Sequence, residues 1–321
     1  MKKQLRLISI IIPIYNEEKN VPLIVGEIKT VWEKIKDKYD HEIIFINDGS
    51  HDGSEKVIEK LAEKDKKIKY IAFSRNFGKE IALTAGIHIA DGDAAIMIDA
   101  DLQHPPKLIP EFIEKWEAGA DIVIGVRIKN QGEGFVKKTG SYFFYKIARA
   151  ICDTKLKERE TDYRLIDRCV IDEFNNFTER SRIARGLIDW LGFERDFIFF
   201  NANERSNGTA RYSPIKLYRL AASTFISHSL LPLKLAGWLG IFITLFSGTF
   251  GLFILIEKYI LHDPWNMYFS GSATLAVIIL FLVGIILICL GLVCLYIANI
   301  HGEVTNRPIY VIKKRINFNK K

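Results

Sequence analysis

Residues 42–73 read EIIFINDGSHDGSEKVIEKLAEKDKKIKYIAF, and the order of patterns in this stretch decides the fold. Two short β-branched runs, Glu42 to Asn47 and Ile68 to Phe73, flank an amphipathic helical stretch, Ser54 to Lys64. The alternation continues on both sides. Further strands are predicted at Ile8 to Ile14, Ala94 to Ile98 and Asp121 to Val126, and further helices at Val21 to Ile35 and Lys79 to Ala90. Strands that alternate with helices in this way form an α/β fold, a mostly parallel sheet covered by helices on both faces. From Phe135 to Arg195 the pattern is more helical, and Asp196 to Ala202 reads as one more strand.

In such sheets ligands bind at the carboxyl ends of the strands. The residues just beyond the predicted strands are Tyr15 to Glu18, Asp48 to Ser50, Ser74 to Asn76, Asp99 to Asp101 and Arg127, so acids, amides and two arginines share one edge. Neither GxGxxG nor GxxxxGK[ST] occurs, which argues against a dinucleotide dehydrogenase and a P-loop NTPase. Asp99-Ala100-Asp101-Leu102-Gln103 offers hard oxygen ligands of the kind that hold Mg²⁺ or Mn²⁺ together with phosphate oxygens; as an isolated triplet it also reads as an ordinary turn. Asp52 followed by Glu55 reads as a capping box, whereas Asp48 ends its strand at the crevice, where a carboxylate can accept hydrogen bonds from a ribose or base.

The last third is different. Leu235 to Ile256 and Ala273 to Ile300 contain no Asp, Glu, Lys or Arg, and each run is long enough to cross a bilayer as a helix. Lys216, Arg219 and Lys234 precede the first run, and Arg307, Lys313, Lys314, Arg315, Lys320 and Lys321 follow the second. Between the runs, Glu257 to Gly271 holds one Lys, two acids and no Arg, so both termini are expected on the cytoplasmic side of an inner membrane, with a short outer loop. Pro214 opens a segment, Ile215 to Leu231, whose pattern fits a helix in the membrane interface and also an amphipathic helix packed on the domain. The expected organisation is a domain over 1–213, an interface helix over 214–234, two spans within 235–300 and a basic tail over 301–321.

The formal net charge of +7 comes with basic residues interleaved with acids except near the apolar runs, which suits an anionic leaflet better than nucleic acid. Cys152, Cys169, Cys289 and Cys294 form no CxxC, so neither a disulfide framework nor a zinc site is indicated. No pattern specifies an oligomeric state, and a homo-oligomer stays open.

Taken in order, Pro13-Ile14-Tyr15-Asn16-Glu17-Glu18, Asn47-Asp48-Gly49-Ser50, Arg75-Asn76-Phe77-Gly78-Lys79 and Asp99 through Pro106 (DADLQHPP) resemble the inverting family 2 glycosyltransferases of the GT-A fold. More narrowly, they resemble the polyprenyl-phosphate glycosyltransferases. Gly125-Val126-Arg127, Asp162 through Arg168, Glu204 to Tyr212 and Glu303 through Pro308 extend the likeness over nearly the whole chain.

That resemblance implies a UDP-sugar donor, a polyprenyl (undecaprenyl) phosphate acceptor and a Mg²⁺ or Mn²⁺ cofactor. Pro13, Tyr15, Glu17 and Asp48 would hold the uridine or its ribose, Asp99 would sit beside the nucleotide and Lys79, and Asp101 and Gln103 would bind the metal. Arg127 would offset the charge of the diphosphate. Asp162 takes the position of a catalytic base or an acceptor orienter. A phosphate monoester already carries negative oxygen near neutral pH, which favours orienting. On the acceptor side, Lys137 and Ser141 stand one helical turn apart, and Arg205 and Arg211 flank Gly208; these would meet the lipid phosphate, or else form a solvated basic surface near the leaflet. Where relatives often place an arginine after Gly-x-Arg, this chain has Lys129-Asn130-Gln131. Asp101 and Gln103, two apart on what reads as an extended stretch, are expected to face one cation together.

The expected reaction is one inverting displacement that moves a single hexose, glucose foremost, from UDP to the lipid phosphate. Its rivals are a processive polysaccharide synthase and a catalytically silent membrane scaffold. Arg185 to Trp190 lacks the Gln-x-x-Arg-Trp spacing of the processive enzymes.

Overall fold

The computed structural model describes residues 5–128, 160–180, 182–201 and 271–318, with positions 249 and 256 standing alone. The chain divides into two compact units, Met1–Ala210 with Arg307–Lys321, and Arg211–Asn306. Eight strands build the first unit: β1 (Arg6–Ile14), β2 (Tyr39–Asn47), β3 (Ile68–Phe73), β4 (Ala94–Met97), β5 (Ile122–Arg127), β6 (Glu160–Asp167), β7 (Arg195–Phe200) and β8 (Ile312–Ile316). They form one sheet in the order β7-β5-β6-β4-β1-β2-β3-β8. Its helices are α1 (Asn20–Trp32), α2 (Ser54–Lys64), α3 (Lys79–Ile89), α4 (Ile109–Glu117), α5 (Arg168–Asn176) and α6 (Ala184–Trp190).

Strand β1 lies at the centre because nearly every side chain along it is apolar, as a strand covered on both faces requires. Ile10 and Ile12 enter the core shared with α1 and α4, and Ile11 enters the core under α3, α5 and α6. Helix α3 sits close to the sheet through Gly86, where a Cβ would lie 2.3 Å from Ile11 Cγ2.

Two expectations are corrected. The first concerns the helical reading of Phe135 to Arg195: β6 lies inside it and pairs antiparallel with both β4 and β5, which makes the sheet mixed. Its charges hid it, since Asp162, Arg164 and Asp167 interrupt the apolar pattern of a buried strand. Arg164 is 1 % exposed and is tolerated there because Asp189 Oδ1 accepts from its guanidinium at 2.8 Å. The second concerns 301–321: these residues are no free tail, because β8 pairs antiparallel with β3 and ends the sheet. Its exposed Lys313, Lys314 and Arg315 also discourage pairing of that edge with another chain.

Two details concern helix starts. Asp167 caps α5 by accepting from Cys169 N–H at 2.8 Å. The cap position of α2 falls on Gly53 instead of Asp52, whose carboxylate accepts from Ser54 N–H at 3.0 Å and from Glu18 N–H at 3.2 Å.

In the second unit the described element is α7 (Gly271–Val304), 34 residues or about 51 Å of continuous helix. Counting described residues alone, no helix is long and apolar enough to cross a membrane. The backbone of α7 is helical from Gly271 to Val304, and its sequence has no Asp, Glu, Lys or Arg before Glu303. Leu275, Ile279, Ile286, Leu290 and Ile297 are all at least half exposed. The interface helix over 214–234 and nearly all of the run from Leu235 to Ile256 lie outside the described residues.

Acid should loosen this fold before the carboxylates titrate. Burial, reinforced by Lys67, holds the His41 imidazole down to about 4, and burial with Arg182 does the same for His88. Both are therefore neutral in the folded chain at pH values where the unfolded chain takes up protons. Stability is present in full above about 6.5 and falls as pH drops toward 4. His41→Phe keeps a ring against Trp32, whose centroid is 4.5 Å away, and removes one of three such titrations, the third belonging to the buried His104. The drop in unfolding temperature from pH 7.5 to 5 should then shrink by roughly a third; an equal drop in both proteins would show that His41 takes no part.

Candidate active site

Asp48 follows β2 and is 3 % exposed. Its two oxygens accept from Phe77 N–H at 2.6 Å and Gly78 N–H at 2.9 Å. Burial pushes its carboxyl up, against the pull of those two donors. The carboxylate expected at the ribose or base is thus already holding the loop after β3. Gly49 lets that loop approach: at φ +70° it has no Cβ, and an added one would lie 2.7 Å from the backbone of Arg75 and Asn76.

The loop delivers Lys79 at the start of α3. Lys79 Nζ lies 2.7 Å from Asp99 Oδ1 and 2.8 Å from Asp162 Oδ2. Register explains the meeting. Strands β4 and β6 pair Met97 with Arg164, and continuing that antiparallel ladder by two residues sets Asp99 opposite Asp162. Burial disfavours all three charges, but mutual attraction outweighs it: Lys79 stays protonated well above the ordinary lysine value, and both carboxyls are held below theirs. One lysine between two aspartates leaves a net negative charge. Beside them Glu80 is pushed up by burial and by Asp162, while its Oε2 accepts from Ala184 N–H at 2.9 Å and so fixes the start of α6.

After β4 the chain turns. Leu102 has φ +59°, so Asp101 to Gln103 is a turn and not the extended stretch whose parity was expected to aim both side chains at one cation. Asp101 Oδ1 accepts from Gln103 N–H at 3.1 Å, and Gln103 Oε1 accepts from an Arg127 NH₂ group at 3.2 Å. Arg127, at the end of β5, has its Nε buried and without a partner among the described residues. Among the described residues no group of three or more His, Cys, Asp or Glu is arranged to hold a metal. A carboxylate and an amide oxygen are nevertheless hard donors of the kind a divalent cation takes.

On the neighbouring strand end, Pro13 and Tyr15 are half-buried, and the Tyr15 ring stands edge-on to His51 at 6.5 Å. Glu17 donates its N–H to Ser54 Oγ at 2.9 Å, and its carboxylate accepts from Asn20 Nδ2 at 2.6 Å. Lys137, Ser141, Arg205 and Arg211 lie outside the described residues.

One residue of the site was given no role on reading the chain. His104 is 1 % exposed, its Nδ1 accepts from Asp99 N–H at 3.3 Å, and its ring stacks on Tyr163 with centroids 5.2 Å apart. Burial outweighs Asp99 and holds it below the ordinary histidine value, so it is a neutral acceptor that fixes the backbone of Asp99. The run of acids, amide and histidine in DADLQHPP was its only visible signal.

Fold and site together define an α/β enzyme domain with its charged edge at the carboxyl ends of the parallel strands. Residues 9–174 match the family described as Glycosyl transferase family 2. The chain belongs to that family, as its motifs led us to expect. It is 38 % identical over 313 residues to the uncharacterized glycosyltransferase YkcC of Bacillus subtilis (strain 168), covering 98 % of this chain and 95 % of that one. It is 38 % identical over 307 residues to the SfII prophage-derived bactoprenol glucosyl transferase of Shigella flexneri, covering 96 % and 97 %. Among solved structures, the glucosyl-3-phosphoglycerate synthase of Mycobacterium tuberculosis aligns with a TM-score of 0.47 and 18 % identity over 70 % of this chain and 79 % of that one, too distant a likeness to carry an assignment.

Proposed function

We propose that this enzyme transfers one hexose, glucose as the first choice, from a UDP-sugar to undecaprenyl or a similar polyprenyl phosphate at the cytoplasmic face of the inner membrane. The observation that carries a transferase chemistry is the charged edge, where Lys79 joins Asp99 to Asp162 while Arg127 donates to Gln103 Oε1, next to Asp101. The near full-length similarity to a bactoprenol glucosyl transferase supports the acceptor and the sugar.

In the reaction an oxygen of the lipid phosphate attacks the anomeric carbon, the bond from that carbon to the diphosphate breaks, and UDP departs with the bonding pair. One displacement inverts the centre. A divalent cation held by Asp101 and Gln103 would supply charge compensation to the diphosphate. Arg127 adds positive charge on the protein side, while Lys79 offsets the charges of Asp99 and Asp162 beside it. Asp162, held below the ordinary carboxylate range by Lys79, is a weak proton acceptor, which supports orienting over base catalysis. Pro13, Tyr15 and Glu17 are assigned to the nucleoside, and Lys137, Ser141, Arg205 and Arg211 to the lipid phosphate.

The uncharged length of α7 and its exposed leucines and isoleucines support a membrane span, with Leu235 to Ile256 as its partner and both termini cytoplasmic. A cysteine at Asn266 should then react with an impermeant thiol reagent added from outside, and protection of that position in intact cells would reverse the topology.

The decisive experiment incubates the purified chain with undecaprenyl phosphate and a panel of radiolabelled nucleotide sugars. A lipid-linked product with a β linkage by NMR is expected from an α-linked UDP-sugar. An α linkage would exclude the single displacement, and growth of a polymer would favour the synthase reading. A silent scaffold would release no UDP at all.

A further inference from the structure

The loop after β3, residues 74–78, is held from two directions. From inside, the Asp48 carboxylate takes the N–H groups of Phe77 and Gly78. From the sheet edge, Val311 C=O accepts from Ser74 N–H at 2.9 Å. The ring of Phe73 lies between two others, stacked on Tyr310 with centroids 5.2 Å apart and planes at 21°, and edge-on to Phe77 at 5.6 Å and 85°. Tyr310 is half-buried, and its hydroxyl is 3.3 Å from His88 Nδ1 on α3, the helix that begins with Lys79. The β3–β8 ladder shifts register between Ala72 and Phe73, where the loop starts, so regular strand pairing gives way there to these ring contacts.

Among the described residues, Val311 meets the loop at Ser74 and Tyr310 meets Phe73 just before it, and both follow α7 in the chain. Ser74, Arg75 and Asn76 are exposed, so the loop has little packing of its own. We propose that Tyr310, with the strand it introduces, is a positioning element for the donor loop: it fixes the Phe73 and Phe77 rings and thereby the backbone that presents Lys79 and meets the nucleotide. The proposal rests on the reading of this edge as the nucleotide-sugar site. It makes the catalytic domain discontinuous in sequence, completed only by residues beyond the long apolar helix.

The test compares Tyr310→Ala, Tyr310→Leu and Tyr310→Phe in the full chain, by amide hydrogen exchange and by UDP affinity. Losing one aromatic pair should speed exchange at Phe77 and Gly78 by about ten-fold in Tyr310→Ala, and weaken UDP binding by about five- to ten-fold. Exchange at Ile10 and Ile44 on the central strands should stay unchanged. Tyr310→Phe keeps the ring stack and should behave as the native chain does. If Tyr310→Ala fails to fold, Tyr310→Leu, which fills the site without stacking, should show the same local pattern. Native exchange at Phe77 and Gly78, equal acceleration in the central strands, native UDP affinity, or a Tyr310→Phe defect as large as the alanine one would each overturn the proposal. Should the native chain fail to bind UDP, the proposed function falls, and the exchange data alone still decide whether Tyr310 holds the loop.

Discussion

Lys79→Met is expected to lower turnover by about 10²- to 10³-fold, the cost typical of removing one preorganised electrostatic group. Lys79 Nζ is within 3 Å of both Asp99 and Asp162, so methionine fills the space and leaves two carboxylates facing each other. Their mutual repulsion should raise one of the two carboxyls toward neutrality and disturb the geometry that register imposes on them. Stability should suffer much less than turnover. The Lys79 side chain is 35 % exposed and those of Asp99 and Asp162 are 25 % and 22 % exposed, so water screens much of the unpaired charge. Adding Asp162→Asn to Lys79→Met removes the repulsion and should restore the unfolding temperature while turnover stays low. Thermal unfolding and single-turnover kinetics on the single and double variants separate the two effects. A single variant that keeps turnover within about tenfold of the native chain would make the cluster a structural ion pair.

Asp101→Asn is expected to weaken Mn²⁺ binding in the presence of UDP and to lower turnover by about 10²-fold or more. The substitution is informative because of the turn. Asp101 Oδ1 accepts from Gln103 N–H, an interaction an asparagine oxygen can also make, so the backbone with Leu102 at φ +59° should persist while the charge is lost. Asp99→Asn makes the contrast: its carboxylate is engaged by Lys79, so its loss should reduce activity while sparing more of the cation affinity. Titrating Mn²⁺ against each variant with UDP present decides the matter, and native affinity in Asp101→Asn would leave Asp101 as a turn former only.

The parallel core was legible because its strands are short and rich in β-branched and aromatic residues, with only isolated polar positions such as Ser9 and Lys69. Ile68–Phe73 came out with both predicted ends, and the other predicted strands of the first 130 residues shifted by three residues or fewer. Motif order was enough to reach the family, since Asp48, Lys79, Asp99 and Arg127 all stand at strand or helix ends, where chain direction alone puts them on one edge. Strand β6 was missed because a buried strand carrying Arg164 violates the apolar pattern, and that arginine is made tolerable by the distant Asp189 together with Glu160 and the Thr161 carbonyl.

What the sequence by itself determined is therefore local and periodic: the α/β alternation, the uncharged run within α7, and the set of side chains delivered to the strand ends. The tertiary structure alone decided which of them meet. Antiparallel register set Asp162 opposite Asp99, a left-handed Leu102 turned Asp101 back on Gln103, and the last residues of the chain returned to cover Phe73. Each of these depends on pairing between segments from two to more than two hundred residues apart, through dihedral angles, register and charge compensation, none of which leaves a periodic mark in the order of amino acids.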